Sequence, residues 1–204
     1  QSIKYFECFD AVIGDEAHLF KAKSLTDILT KLHHAKYRVG FTGNLYGSKT
    51  NKLVLEGLFG PHEKITSTNE LIQQGHLSRL KIKIIVLKHQ PIKFDTYHDE
   101  IEYLISHPMR NNFIKNLALD LGGNTLILFN YVEKHGEPLY ELINNSVRSD
   151  RKIFFVHGGV DVKDREEIRS ITETEDNAII VASYGTFSTG INIKKLNNII
   201  FASP

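Results

Sequence analysis

An acidic pair closing an apolar run is the first place in this sequence where chemistry could be done. Phe9-Asp10-Ala11-Val12-Ile13 leads through Gly14 into Asp15-Glu16-Ala17-His18, which reads as a strand opening into a loop. In parallel sheets, ligands bind in the crevice beyond the carboxyl ends of the strands. Asp15 could there hold Mg²⁺, directly or through water, against nucleotide phosphates. Glu16 could orient or deprotonate an attacking water. The same four residues also suit a plain helix start, where acidic side chains gain from the helix dipole, so the surrounding pattern has to decide.

Four further blocks supply that pattern. Val39-Gly40-Phe41-Thr42-Gly43-Asn44 is a second strand ending in small and polar residues. Its Thr42 and Asn44 would face the same crevice as Asp15 and Glu16, although Gly43-Asn44 also suits a simple turn. Two later apolar runs end at Asn130-Tyr131 and at His157-Gly158-Gly159. Strand ends of that kind can bring side chains and amides close to a phosphodiester backbone, and they also serve as ordinary turns. The last block, Ser183-Tyr184-Gly185-Thr186-Phe187-Ser188-Thr189-Gly190-Ile191-Asn192, is rich in hydroxyls and longer than a minimal turn. It could meet a nucleotide on one side and a nucleic-acid backbone on the other.

Two other patterns lead nowhere. Residues 43–50 match the phosphate loop G-x-x-x-x-G-K-[ST] except that Ser48 replaces the second glycine. They also follow the acidic strand, whereas phosphate loops open the fold ahead of it, so the segment reads as a polar turn and a helix start. A metal hydrolase built on the ten histidines lacks an H-E-x-x-H or comparable ligand spacing, and the adjacent His33-His34 would point in different directions on a helix.

The elements that must position these blocks alternate between strand-like and helix-like, the mark of an α/β fold with parallel sheets covered by helices. Strands are expected near 9–14, 38–42, 80–87, 125–129, 152–156, 177–182 and 198–202, with helices near 25–35, 50–58, 69–74, 97–105, 111–120, 132–144 and 163–172. Ser24 and Asp27 mark a helix start whose buried stripe would be Leu25, Ile28, Leu29 and Leu32. The rhythm breaks between residues 60 and 90, around Gly60-Pro61 and Gly75. A domain boundary is therefore expected near Gly75, giving units 1–75 and 76–204.

Composition adds exclusions. The chain has 204 residues, 41% of them hydrophobic, and 25 Lys and Arg against 24 Asp and Glu, so bulk charge announces no nucleic-acid partner. Its apolar runs fall far short of the ~20 residues that span a bilayer. One cysteine allows no internal disulfide and fits a reducing compartment, so cytoplasm is the expected location.

Taken in order, the blocks resemble the superfamily 2 DExH helicases. Asp15-Glu16-Ala17-His18 is similar to motif II and Thr42-Gly43-Asn44 to motif III. Phe129-Asn130-Tyr131 is similar to motif IV, Val156-His157-Gly158 with Arg165 and Arg169 to the block after it, and 183–192 to motif V. Within that superfamily, the DEAH-Leu-Phe-Lys run, the Thr-Gly-Asn and the Thr-Gly-Ile-Asn look most like phage recombination helicases, which would place the chain in the cytoplasm of the host. The resemblance implies two RecA-like lobes, the first incomplete, with ATP and Mg²⁺ between them and DNA across both. It implies that Asp15 serves Mg²⁺, that Glu16 is the catalytic base, and that His18, Thr42 and Asn44 couple hydrolysis to DNA movement. Asn130, His157, Gly158 and Ser183 would meet nucleic acid, and Gly190 and Asn192 the nucleotide. Many relatives carry Asp at Asn192 and Ala at Gly43, which weakens the coupling roles more than those of Asp15 and Glu16.

The function implied is a DNA helicase motor for recombination and repair, acting on junctions, D-loops and R-loops. A double-stranded DNA translocase and a non-catalytic nucleic-acid-binding module remain open beside it. The phosphate loop of motif I is expected before Gln1 and the arginine finger of motif VI after Pro204. An arginine finger is worth about 10³–10⁵ in phosphoryl-transfer rate, so these 204 residues alone are expected to be nearly inert as an ATPase.

Overall fold

A computed structural model describes residues 3–43, 49–88, 90–147, 151–159, 170, 173–187 and 193–203. Contacts divide the chain into two compact units, 1–83 and 84–204.

The first unit is built on two parallel strands, β1 (Ala11–Gly14) and β2 (Tyr37–Gly40), paired in register from Ala11↔Tyr37 to Gly14↔Gly40. Four helices accompany them: α1 (Ile3–Phe6), α2 (Lys23–Lys31), α3 (Lys49–Phe59) and α4 (Thr68–Gln73). Strand alternation sends Val12 toward a small core of Phe6, Leu29, Leu32 and Ala35, joined by Phe20, Leu58 and Phe59. Ile13 and Val39 share the opposite face and stay exposed. Of the expected stripe on α2, Leu29 and Leu32 are buried while Ile28 is exposed. The helix starts at Lys23, and its N-cap is Ala22, not Ser24, with no side-chain cap. Thr26 Oγ instead donates back to Phe20 O at 2.8 Å, tying the helix to the turn before it.

Glycine is required on both strands for one reason. A Cβ on Gly14 would sit 2.8 Å from the Phe59 ring, and one on Gly40 would sit 3.0 Å from Phe59 and from Ala17 Cβ. The strand ends can lie this close to α3 only without side chains.

The second unit carries a four-stranded parallel sheet, in order β4-β5-β3-β6, from β3 (Asn124–Phe129), β4 (Ile153–Val156), β5 (Ile179–Ser183) and β6 (Leu196–Phe201). Every pairing is parallel. Helices α5 (Tyr97–Ser106), α6 (Pro108–Asp120) and α7 (Glu137–Asn144) flank it, with a π turn at Val132–Gly136 leading into α7. β3 and β5 are buried along their whole length, as strands with both faces covered must be. Ile127, Phe129, Ile179 and Val181 face Ile114, Ala118, Leu139 and Ile143 of the helices. Leu126, Leu128, Ile180 and Ala182 form the core of the other face with Val156, Phe187 and Ile193.

Two expected elements differ. Residues 80–87 form no strand: Leu80, Ile82, Ile84 and Val86 alternate correctly but are exposed at 79%, 76%, 87% and 76%. A strand exists only through its ladder, and no described residue offers this segment one. The division between units falls inside it. The expected loop after β5 begins as a short helix, α8 (Tyr184–Phe187), rather than as irregular chain. The helix expected at 163–172 lies almost wholly outside the described residues.

Candidate functional site

The acidic motif sits at the carboxyl end of β1, held by backbone. Phe41 N donates to Gly14 O and Ala17 N to Phe41 O, both at 2.8 Å, so the loop after β1 is stitched to the end of β2. Between those rungs the chain turns sharply, and Glu16 adopts φ 47°, ψ 48°. This is the only left-handed backbone at a non-glycine residue among those described, and such conformations persist where the surroundings enforce them. The 3₁₀ turn Ala17–Lys21 follows.

This turn converges four of the expected residues. Glu16 N donates to Asp15 Oδ1 at 2.8 Å, fixing the carboxylate over the turn. His18 Nδ1 lies 2.9 Å from Thr42 Oγ and 3.2 Å from Glu16 Oε2. One imidazole nitrogen thus touches the expected base and the expected coupling residue of the neighbouring strand. The carboxylates of Asp15 and Glu16 remain exposed. Asn44 lies outside the described residues.

In the second unit, sheet register collects the other expected residues at one edge. Val156 pairs with Ala182 and Phe129 with Ser183, while Leu128 pairs with Phe201. His157 and Asn130 directly follow β4 and β3, Ser183 is the last residue of β5, and Ser203 stands two residues beyond β6. Asn130 is exposed. His157 Nδ1 accepts from Gly159 N at 3.2 Å, and nothing would crowd a Cβ on Gly158. Ser183 differs: it is buried, and its hydroxyl is 2.7 Å from Thr186 Oγ. Gly190, Asn192, Arg165 and Arg169 lie outside the described residues.

Sequence reasoning missed the polar residues beneath this edge. His135, in the π turn, is fully buried with Nδ1 3.0 Å from Ser203 Oγ. Burial, assisted by the nearby Arg110 guanidinium, pushes its pKa down from 6.5 to about 4. Such a group stabilises the fold above its unfolded pKa and loses that contribution as pH falls toward its folded value. Acidification from about pH 7 to about pH 5 should therefore cost the second unit about 2 kcal/mol through this residue. Urea unfolding checks it: His135→Leu should show a smaller drop in midpoint over that range than the unaltered chain. An equal drop in both would count against the assignment. His135-Gly136 gave no signal in the sequence beyond its place in an amphipathic helix.

No family model matches the chain. It is 33% identical over 210 residues to the ATP-dependent DNA helicase uvsW of Enterobacteria phage T4, an alignment covering 99% of this chain and 41% of that protein. The likeness to UvsW runs along nearly the whole chain. A second relative, a protein of Acanthamoeba polyphaga mimivirus whose name proposes an ATP-dependent RNA helicase, is 27% identical over 212 residues, covering 98% of this chain and 38% of its own length. The chain thus spans about two fifths of the relatives it matches. That likeness accords with the α/β architecture, two helix-flanked parallel sheets of the RecA-like kind. Among the described residues, no helix is long and apolar enough to cross a membrane, and no group of three His, Cys, Asp or Glu side chains could hold a metal ion by itself.

Proposed function

We propose that this chain is part of an ATP-driven DNA motor, its first unit ending one RecA-like lobe and its second supplying most of the next. The observation that carries the reading is the turn after β1, where Asp15, Glu16 and His18 are locked against Thr42. Asp15 fits a Mg²⁺ partner as one exposed hard carboxylate, since Mg²⁺ keeps several waters and takes only one or two carboxylates beside the nucleotide phosphates. The ion would neutralise charge on the phosphates during transfer. Glu16 accepts a proton from, or orients, the attacking water. His18 transmits the state of that carboxylate to Thr42 on the adjoining strand end. In the second unit, Asn130, His157 and Gly158 face the nucleic-acid backbone, and Ser183 shapes that edge from beneath through Thr186. Gly190 and Asn192 are assigned to the nucleotide.

The name of the uvsW relative supports DNA as the nucleic acid; branched substrates in recombination and repair, within the host cytoplasm, are the finer part of the proposal. The test is the intact protein on a fork or Holliday junction with ATP and Mg²⁺. The reading expects DNA-stimulated ATP hydrolysis and strand displacement. Stimulated hydrolysis without displacement would favour a double-stranded translocase, and stimulation by RNA alone would transfer the assignment to RNA. DNA binding without hydrolysis would leave only a binding module.

A further inference from the structure

The polar cluster under β3 and β6 has no part in the chemistry above. Backbone pairing between these strands ends where Ala202 N donates to Leu128 O at 2.9 Å. The next rung is made by a side chain: Asn130 N donates to Ser203 Oγ at 3.0 Å. That hydroxyl is in turn 3.0 Å from His135 Nδ1. Arg110 clamps the same corner from α6, donating to Ala202 O at 2.6 Å. Ser203 is 7% exposed and His135 is 0% exposed, whereas Asn130 faces solvent and Tyr131 is 40% exposed.

Energetics argue that this cluster is not there for packing. His135 Nε2 is buried with no partner among the described residues. An unmet buried polar group works against folding, while an apolar side chain of similar size would have filled the space without that penalty. What the imidazole does accomplish is to hold the Ser203 hydroxyl, and through it the backbone amide of Asn130. Gly136 beside it shows how tightly the turn is set, since a Cβ there would lie 2.5 Å from the Phe129 ring.

We propose that His135 and Ser203 are positioning residues that fix the Asn130-Tyr131 strand end for contact with the nucleic-acid backbone. The proposal rests on the reading of this edge as the nucleic-acid face. Neither side chain touches nucleic acid; the Ser203 hydroxyl replaces a ladder rung, and His135 sets the orientation of that hydroxyl.

The test uses the intact protein with a single-stranded oligonucleotide, following stimulated ATP hydrolysis and, without ATP, fluorescence anisotropy. Ser203→Ala and His135→Leu should each raise the oligonucleotide concentration for half-maximal stimulation about tenfold, and weaken anisotropy binding alike, with turnover at saturation within about twofold. His135→Asn, which can keep a polar atom near the Nδ1 position, should recover most of the loss. Unchanged half-saturation in the folded Ser203→Ala protein would overturn the proposal, as would a fall in saturated turnover alone or His135→Asn behaving no better than His135→Leu. If the unaltered protein shows neither stimulation nor binding, the reading of this edge fails and the proposal goes with it. If it shows both and the variants do not differ from it, only the proposal fails.

Discussion

In the intact protein, Glu16→Gln should cut DNA-stimulated ATP turnover by about 10²–10⁴-fold, the usual worth of a positioned general base, while DNA binding stays within about twofold. The exchange suits this site. Glutamine matches glutamate in length and leaves the left-handed turn at φ 47° with the same unbranched side chain, so strain at the backbone does not confound the result. It also keeps an oxygen 3.2 Å from His18 Nδ1 within reach. What it loses is the charge and the capacity to take a proton from water. Asp15→Asn should differ in kind: if Asp15 serves Mg²⁺, its loss shifts the Mg²⁺ concentration for half-maximal turnover upward, which a Mg²⁺ titration reads directly. Turnover undiminished in Glu16→Gln would remove Glu16 from the role of base.

The parts of this molecule that were legible in its sequence are those governed by local pattern. Strands of the second unit announced themselves as apolar runs, because a parallel strand covered on both faces has no polar alternation to obscure it; β3 and β5 are buried at every position. The convergence of Asp15, Glu16, His18 and Thr42 was legible because each sits at a strand's carboxyl end, and parallel register brings such ends together. Other features were set by partners distant in sequence. Residues 80–87 have the alternation of a strand, but pairing is a property of two segments, and none of those described supplies the second. The surroundings of Ser183 were not legible either: the sequence suggested only a polar loop after it, whereas the helix Tyr184–Phe187 brings the Thr186 hydroxyl 2.7 Å from its own. Ser203 was invisible as a ladder rung because its partners, Asn130 and His135, lie 73 and 68 residues away.

The largest effect on stability is expected at a residue that no motif marks. Asn124, 0% exposed at the start of β3, pins three chain segments at once. Its Oδ1 accepts from Ala178 N at 2.7 Å, just before β5. Its Nδ2 donates to Glu175 O at 2.8 Å and to Lys195 O at 3.1 Å, the latter just before β6. Its own N–H donates to Asn197 Oδ1 at 2.9 Å. Asn124→Ala strips three backbone groups of a partner at a buried sheet edge, where each unmet group costs roughly 1–3 kcal/mol. A net loss of about 4 kcal/mol is expected, a large share of the 5–15 kcal/mol typical of a whole domain. Asn198→Ala, which frees one more exposed carbonyl at Gly122, should lose under about 1 kcal/mol in the same urea titration. Asn124→Asp separates the donors from the acceptor. It retains Oδ1 for Ala178 N but aims an oxygen at the Glu175 and Lys195 carbonyls, so at neutral pH it should be at least as damaging as alanine. Burial raises the pKa of such a carboxyl above its unfolded value, so the aspartate variant should regain stability as pH falls through that raised value, where the proton restores one donor. An Asn124→Asp protein equally unstable at acid and neutral pH would mean that the amide's donors are not what hold these strand starts together.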